Sequence, residues 1–531
     1  MSGLNKRKPD LLLGYIFLLL LPAFLINLGL MPFILDEATR ANVALEMIHS
    51  GNYITPTING VFYYNKPPLF NWILVLFVKL TGSESEFVFR LPVVISLLLF
   101  SFTVYLTQRR IFGKKVAFFT ALALLSCGRI LFYDSYKGLI DITFSWVIYL
   151  QFWAVFYYFR KRQWWNLFFL AYIFSLLAFL MKGLPALVFL GITLLVHFIS
   201  RRKFLKLFSI QHVSAFLLLL LIVALYFLAY SKYNSLENYF DALWTESAKR
   251  TFIDNPFLES IKHIVTFPFE FIYHFLPWTL LVVLLFKKGV LKFIWQNELS
   301  KYFSLVFLAN ILVYWVSPAI YARYLFMFLP LFFGVIIYVW SEFYAQQQDL
   351  RIYILKYLFL AGGALIVVGI IIFPAFISLE NYDRFWLKYS FVLFLVALLL
   401  ILYIQNRREW LLGFFALLLV SRVVFNFFIL PDRVRTGTDD YQKSGAIVAA
   451  SLSKGHELYL LDNTRIQHVS TYYIMRERND ILMRWYGKPQ PGSYYILERD
   501  SLQYYPGLDS IFTFETRIEG LKLTLVEKKS D

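Results

Sequence analysis

The sequence predicts a mainly α protein: a polytopic membrane helix bundle of about thirteen transmembrane helices, followed by a small C-terminal extracytoplasmic α/β domain. Three observations carry that prediction. Hydrophobic residues make up 59% of the 531-residue chain and aromatic residues 20%, against 16% charged, a balance too apolar for a water-soluble protein. The apolar residues fall in runs of spanning length, with basic clusters in every second connection between them. Beyond residue 431 the long runs stop and short strand-like segments replace them.

Taken in order, the basic start MSGLNKRKPD precedes an apolar run over 11–32. That run is longer than a signal-peptide core and has no small-x-small cleavage site after it, so it reads as an uncleaved first span. Further spans are expected at 88–108, 116–134, 139–159, 164–182, 183–200, 213–232, 269–286, 302–320, 323–340, 354–376, 386–405 and 410–430. The two that meet at Lys182-Gly183 also read as one broken segment. With the N-terminus in the cytoplasm, the basic connections all fall on the cytoplasmic side. They are Arg109, Arg110, Lys114 and Lys115; Arg160-Lys161-Arg162; Arg201-Arg202-Lys203; Lys287-Lys288; Arg351 and Lys356; and Arg407-Arg408. The opposite face receives 33–87, 134–138, 182–183, 233–268, 321–322, 377–385 and the tail. Sites are built on loops of this kind.

Within the first outer connection, ATRANVALEMIHS (38–50) has helical periodicity and Gly51 as a stop. PLFNWILVLFVKL, beginning at Pro68, is too short to cross and reads as an interfacial helix with Trp72 and Lys79 at headgroup level. The expectation is two helices lying on the membrane. In the tail, strands are expected at 457–462, 480–486, 493–499, 510–516 and 521–528, with a helix over 466–478. The chain thus divides into a membrane domain, 1–431, and an outer domain, 432–531.

The net charge of +17 sits in loop clusters rather than in a basic domain or stripe, which argues against nucleic acid as a partner. The single cysteine, Cys127, lies in an apolar run and excludes disulfides and cysteine-rich metal sites.

The candidate chemistry gathers on the outer face. Asp36 and Glu37 follow the first span; they read either as solvated caps of the next helix or as a shielded general base. Lys66 precedes Pro67-Pro68, which restrict the backbone that aims its ammonium; otherwise it is an interfacial lysine reaching headgroups. Asp141 lies about one turn inside its span, where a carboxylate costs on the order of 1–3 kcal/mol unless it lines a polar cavity. Lys182 and Arg323 are cations at the edge of the membrane on the same side. The long loop 233–268 adds Glu246, Arg250 and His263. Arg422 stands inside the last span without an assigned role, and His197 reads as structural. A cavity lined by carboxylates and cations at one leaflet suits an anionic lipid-linked substrate, whose phosphate needs cations and whose attacking hydroxyl needs a base.

These residues sit in a recognisable order: LDEATR, NGVFYYNKPPLFNW, FRLP, GLIDITF, MKGLPALVFL, FLPW and SPAIYARYLFMFLP, over 33 to about 330. In that order the chain resembles the GT-C membrane glycosyltransferases of the protein-mannosyltransferase type, and especially the bacterial branch of lipid A aminoarabinose transferases. The resemblance implies an integral protein of the bacterial inner membrane with a periplasmic C-terminal domain. It implies inverting transfer of a sugar from a polyprenyl-phosphate donor to a lipid A, glycan or protein acceptor. It assigns catalysis to Asp36 and Asp141, with Glu37 beside them, and donor phosphate to Lys66, Arg323, Arg250 and Lys182. Glu246 and Arg250 look like the acid–arginine pair of the large outer loop. Glu246 and His263 are the weak metal candidates. Relatives often carry Glu before Lys-Pro-Pro, where it helps bind a divalent metal; Asn65 stands there instead and is a poorer cation ligand. Arg40 is four residues after Asp36, one further than the family's arginine. The other classes of function are a lipid-linked glycan flippase, with charges along a path across the bilayer, and a non-catalytic lipid-binding scaffold.

Overall fold

In hydrocarbon a chain must satisfy every N–H and C=O internally, so the apolar runs fold as helices. The computed structural model describes residues 11–34, 36–248, 257–318, 320–344, 347–405, 410–436, 439–516 and 521–529. The helical part begins with α1 (Leu11–Leu25), α2 (Asp36–Ser50), a hairpin of β1 (Thr57–Ile58) and β2 (Val61–Phe62), and α3 (Leu69–Thr81). It continues with α4 (Glu86–Gln108), α5 (Lys114–Ser126), α6 (Asp141–Arg160), α7 (Trp164–Lys182), α8 (Pro185–Ser200) and α9 (Ile210–Tyr230). Next come α10 (Leu236–Ala248), α11 (Phe257–His274), α12 (Val290–Gln296), α13 (Glu298–Trp315) and α14 (Leu329–Tyr338). The last of this part are α15 (Leu350–Ile372), α16 (Phe385–Gln405), α17 (Trp410–Val424) and α18 (Leu430–Thr436).

Among the described residues, eight helical stretches are long and apolar enough to cross a membrane, and α1 and α8 are shorter apolar helices. The chain is a multi-pass membrane protein. The outward faces of α9 and α15 show why: Leu217, Leu221, Leu225, Leu365 and Val368 are all exposed.

The expected span 269–286 is broken, because α11 stops at His274 and a 3₁₀ segment, Trp278–Leu285, follows Pro277. A proline there has no N–H to continue the ladder. Lys182-Gly183 is a true junction: Gly183, at φ +76°, ends α7, and Pro185 opens α8. The expected domain boundary at 431 falls within a helical run that continues to Thr436. A wider π turn over Phe425–Ile429 sits just before Pro431 and makes room for its ring.

The first outer connection departs most from expectation. Residues Glu37–Met47 of α2 are buried, so this helix does not lie on a membrane surface. It carries polar groups on several faces, and some of them bind the rest of the protein. Asn42 Nδ2 donates to the His468 carbonyl at 2.9 Å, and Glu46 accepts the Asn59 and Gly60 N–H groups of the hairpin at 2.5 and 3.3 Å. Asn59-Gly60 supplies the two positive φ angles that a two-residue hairpin turn requires. In α3, Trp72 and Lys79 both hold Tyr53, while Leu76 and Leu80 point outward.

The C-terminal part holds α19 (Asp439–Leu452), β3 (Leu458–Leu461), α20 (His468–Arg478), β4 (Met483–Trp485), β5 (Tyr494–Glu498), β6 (Asp509–Glu515) and β7 (Lys522–Glu527). The sheet order is β4-β3-β5-β7-β6; β3 runs parallel to β4 and β5, and the β5-β7-β6 side is antiparallel. This unit docks on the helical part: Glu86, first in α4, accepts from Tyr473 at 2.6 Å and Arg476 at 3.1 Å, and Asn59 Nδ2 donates to the Leu482 carbonyl.

Burial pushes the Glu46 carboxyl up from 4.5 to about 7, against the hydrogen bonds it accepts. The fold therefore prefers the protonated form, and stability should fall as pH rises from about 4.5 to about 7, by roughly 3 kcal/mol in all, then level off. Glu46→Gln should flatten that slope in thermal melts of the detergent-purified protein between pH 5 and 8; an unchanged slope counts against it.

Candidate active site

Four side chains from four separate segments meet at one end of the bundle. Asp36 opens α2, and its carboxylate lies 3.5 Å from Arg323 Nη2. Arg323 stands in the 3₁₀ turn Ala322–Phe328, and its Nε reaches Asp141 Oδ2 at 3.3 Å. Asp141 is the first residue of α6, and its other oxygen takes the ammonium of Lys182, the last residue of α7. Helix polarity suits both ends, since a carboxylate is favoured at an N-terminus and a cation at a C-terminus. Tyrosines hold the cations from the side: Arg323 lies over Tyr321 at 4.1 Å and Lys182 over Tyr324 at 4.5 Å.

Exposure separates the two acids. The Asp141 and Arg323 side chains are 5% and 6% exposed, whereas that of Asp36 is 66% exposed. Arg323 is thus a shared cation between a buried carboxylate and one open to an incoming group. Two acids and two cations leave the cluster neutral. A phosphate can compete for Arg323 and Lys182, and Asp36 is placed to receive a proton. Arg40, one turn on from Asp36, is buried and donates to the Tyr63 hydroxyl, while its Nη1 has no hydrogen-bond partner among the described residues. His468 of α20 faces the same two residues. Burial and Arg40 hold its imidazole below the usual range, and Asp36 opposes them.

Glu37, expected beside Asp36 as a further catalytic acid, is turned away, since adjacent helical positions point about 100° apart. It is buried in a two-pronged ion pair with Arg90, Nε to Oε1 at 2.9 Å and Nη2 to Oε2 at 3.2 Å. The Gly138 N–H adds 2.6 Å and the Ile34 N–H 3.0 Å to the same carboxylate. Arg90 spends its remaining donors on the carbonyls of Leu28, Met31 and Pro32. Sequence reasoning assigned Arg90 no role, although this arginine of FRLP, near the start of the apolar run 88–108, was itself a signal.

Lys66 is half-buried on the loop between β2 and α3, and Pro67 and Pro68 behind it are buried. Arg250 and the Glu246 side chain lie outside the described residues. His263 is buried on α11 against Phe267, 3.4 Å from the Tyr314 carbonyl. Among the described residues, no three His, Cys, Asp or Glu side chains gather as metal ligands, and Asn65 offers only an exposed amide. Arg422 is structural: it donates to the carbonyls of Ala23 and Leu131 and lies against Tyr136 and Phe425. His197 packs among Phe159, Phe198 and Tyr302.

The comparisons with known proteins agree with this architecture. Residues 65–227 match the family model described as dolichyl-phosphate-mannose-protein mannosyltransferase. An uncharacterized protein of Aquifex aeolicus (strain VF5) is 29% identical over 46% of this chain and 49% of its own length. The undecaprenyl phosphate-alpha-4-amino-4-deoxy-L-arabinose arabinosyl transferase of Shewanella sediminis (strain HAW-EB3) is 34% identical over 20% of each chain. The chain thus spans about half or less of the curated relatives it matches. The crystal structure of ArnT from Cupriavidus metallidurans bound to undecaprenyl phosphate superposes with a TM-score of 0.69, at 17% identity, over 98% of both chains. The fold of that protein is the fold of this one, and the resemblance to the GT-C membrane glycosyltransferases holds.

Removing one partner of a buried ion pair strands the other, at a cost of about 3–5 kcal/mol. Arg90→Met should therefore lower stability by about that much, and Glu37→Gln in the same chain should recover part of it. Melting of the single and double variants measures both effects; additive losses would show that the pair is not coupled.

Proposed function

We propose that the chain is an integral-membrane inverting glycosyltransferase. It moves a sugar from a polyprenyl-phosphate donor to an acceptor hydroxyl on a lipid A, another glycan or a protein. The observation that carries this is Arg323 held between Asp36, which is open, and Asp141, which is buried and also holds Lys182. A single site thereby offers a base and a phosphate-binding pair within one guanidinium's reach. The matched family model and the fold shared with ArnT support the same class of donor.

In this reading Asp36 receives the proton of the acceptor hydroxyl, whose oxygen attacks the anomeric carbon. The bond from that carbon to the phosphate oxygen breaks, and the electron pair stays on the phosphate. Arg323 and Lys182 stabilise the charge that develops there, with Lys66 and Arg250 as further donor contacts. Asp141 holds the two cations apart and in place. Joining two membrane-bound reactants in one pocket supplies the proximity gain. The protein would lie in the bacterial inner membrane, its N-terminus cytoplasmic and its 432–531 domain periplasmic, so that α20 brings His468 to the acceptor side. A flippase would spread its charges along a path through the bilayer; these four meet at one end.

Asp36→Asn should lower turnover by at least about a hundredfold, the scale of a positioned base, with folding and donor binding retained. Assays with purified protein and labelled polyprenyl-phosphate sugar measure it, and near-normal turnover would remove Asp36 from the mechanism. Mass spectrometry of lipid that co-purifies with the protein should find a polyprenyl phosphate.

A further inference from the structure

One buried cation has no task in the reaction as drawn. Lys137 lies between the π turn Ile130–Asp134 and the start of α6, four residues before Asp141. It is fully buried, and among the described residues its Nζ has no hydrogen-bond partner; it lies over the Tyr133 ring and 5.7 Å from that of Tyr136. The charged groups that face it are Asp134, Glu37, Arg129 and Arg323. Glu37 is committed to Arg90 at 2.9 Å, and Asp134 holds Arg129 through Oδ2 at 2.6 Å while its Oδ1, also buried, has no hydrogen-bond partner among the described residues. Arg323 is the guanidinium that joins Asp36 to Asp141. Burial dominates and holds the amine down at about 7; Asp134 and Glu37 oppose it, and Arg129 and Arg323 add to it.

The transfer reaction generates a charge that the four-residue cluster does not meet. A sugar phosphodiester carries one negative charge, and the released phosphate monoester carries up to two above about pH 6. The acceptor O–H bond breaks as its oxygen bonds to the anomeric carbon, the sugar–phosphate bond breaks with its electron pair left on phosphate, and one proton is set free. Asp36 takes that proton first and passes it to solvent; once it is ionised again, Asp36 and Asp141 balance Arg323 and Lys182, so the second charge of the released phosphate calls for one more positive charge nearby.

We propose that Lys137 supplies that charge: its amine takes up a proton when the dianionic polyprenyl phosphate occupies the site, and the resulting ammonium stabilises the leaving group. Lys137 acts through the field at Arg323 and is a positioning residue rather than a catalytic one. The inference rests on the glycosyl-transfer reading of the site.

Calorimetric titration of the full-length purified protein with polyprenyl phosphate at pH 8, in two buffers of different ionisation enthalpy, tests it. Near pH 8 the free amine is mostly neutral, so binding should take up close to one proton per lipid. The ligand itself would move the other way, since a cation-lined site favours loss of its last proton. Lys137→Met should bind more weakly without proton uptake, and Lys137→Arg, a permanent cation, should bind without uptake and without the loss. Turnover of Lys137→Met should fall about tenfold or more. Binding to the wild-type protein without proton uptake overturns the inference even if no variant folds. So does the same uptake in Lys137→Met. A lipid that does not bind at all overturns the glycosyl-transfer reading, and this inference with it.

Discussion

The buried pair of Glu37 and Arg90 is the contact on which the rest of the site depends. Arg90 enters from α4 and ties off the carbonyls that follow α1, while Glu37 takes the amide of Gly138. Asp36 is the neighbour of Glu37, and Asp141 lies three residues beyond Gly138. One ion pair therefore sets the positions of two carboxylates that lie far apart in sequence. Buried ion pairs add little net stability over a well-packed apolar core, but an unpaired member is so costly that the geometry is strongly specified.

A second constraint comes from the C-terminal unit. It packs on α2 and on the start of α4, and it covers a connection that would otherwise be an open loop. The roof of the site is therefore made of protein. Asp36 sits at the edge of that roof, exposed, while Arg323 and Asp141 are buried below it and Lys182 is partly buried. Carboxylate and cation are thus graded by depth: the deep groups are held by tyrosines and by each other, and the outer acid, held by Arg323 at 3.5 Å, stays open to an incoming group. A low-dielectric floor strengthens every charge interaction above it, as the leaving phosphate of the proposed transfer would require.

Much of the architecture was legible in the chain. The positions of the apolar runs correspond to helices because hydrocarbon leaves the backbone no other way to satisfy itself. The five tail strands and the helix between the first two lie within two residues of where alternation and turn residues put them, except that β4 begins three residues late. Breaks were harder to see: the run 269–286 is mainly apolar, and only Pro277 betrays that it does not continue as one helix. Helix α2 was misplaced for a related reason. A half-polar helix after a span looks the same whether headgroups or another domain cover it, and only the docking of α20 distinguishes the two.

By itself the sequence determined that the chain crosses a membrane many times, and it predicted that Asp36, Asp141, Lys182 and Arg323, of the right types to hold a phosphate and take up a proton, collect on one side. Those conclusions need only composition, spacing and charge. What the tertiary structure decided is which charge meets which. Glu37 and Asp36 are adjacent in sequence and equal in chemistry, yet a turn of about 100° per residue sends one into a structural pair and leaves the other at the mouth of the site. Arg90 and Lys137 read as ordinary members of their segments until the packing of α4 and α6 showed that one is fully paired and the other is not. Pairing between distant segments is a property of the packed bundle, and no local pattern encodes it.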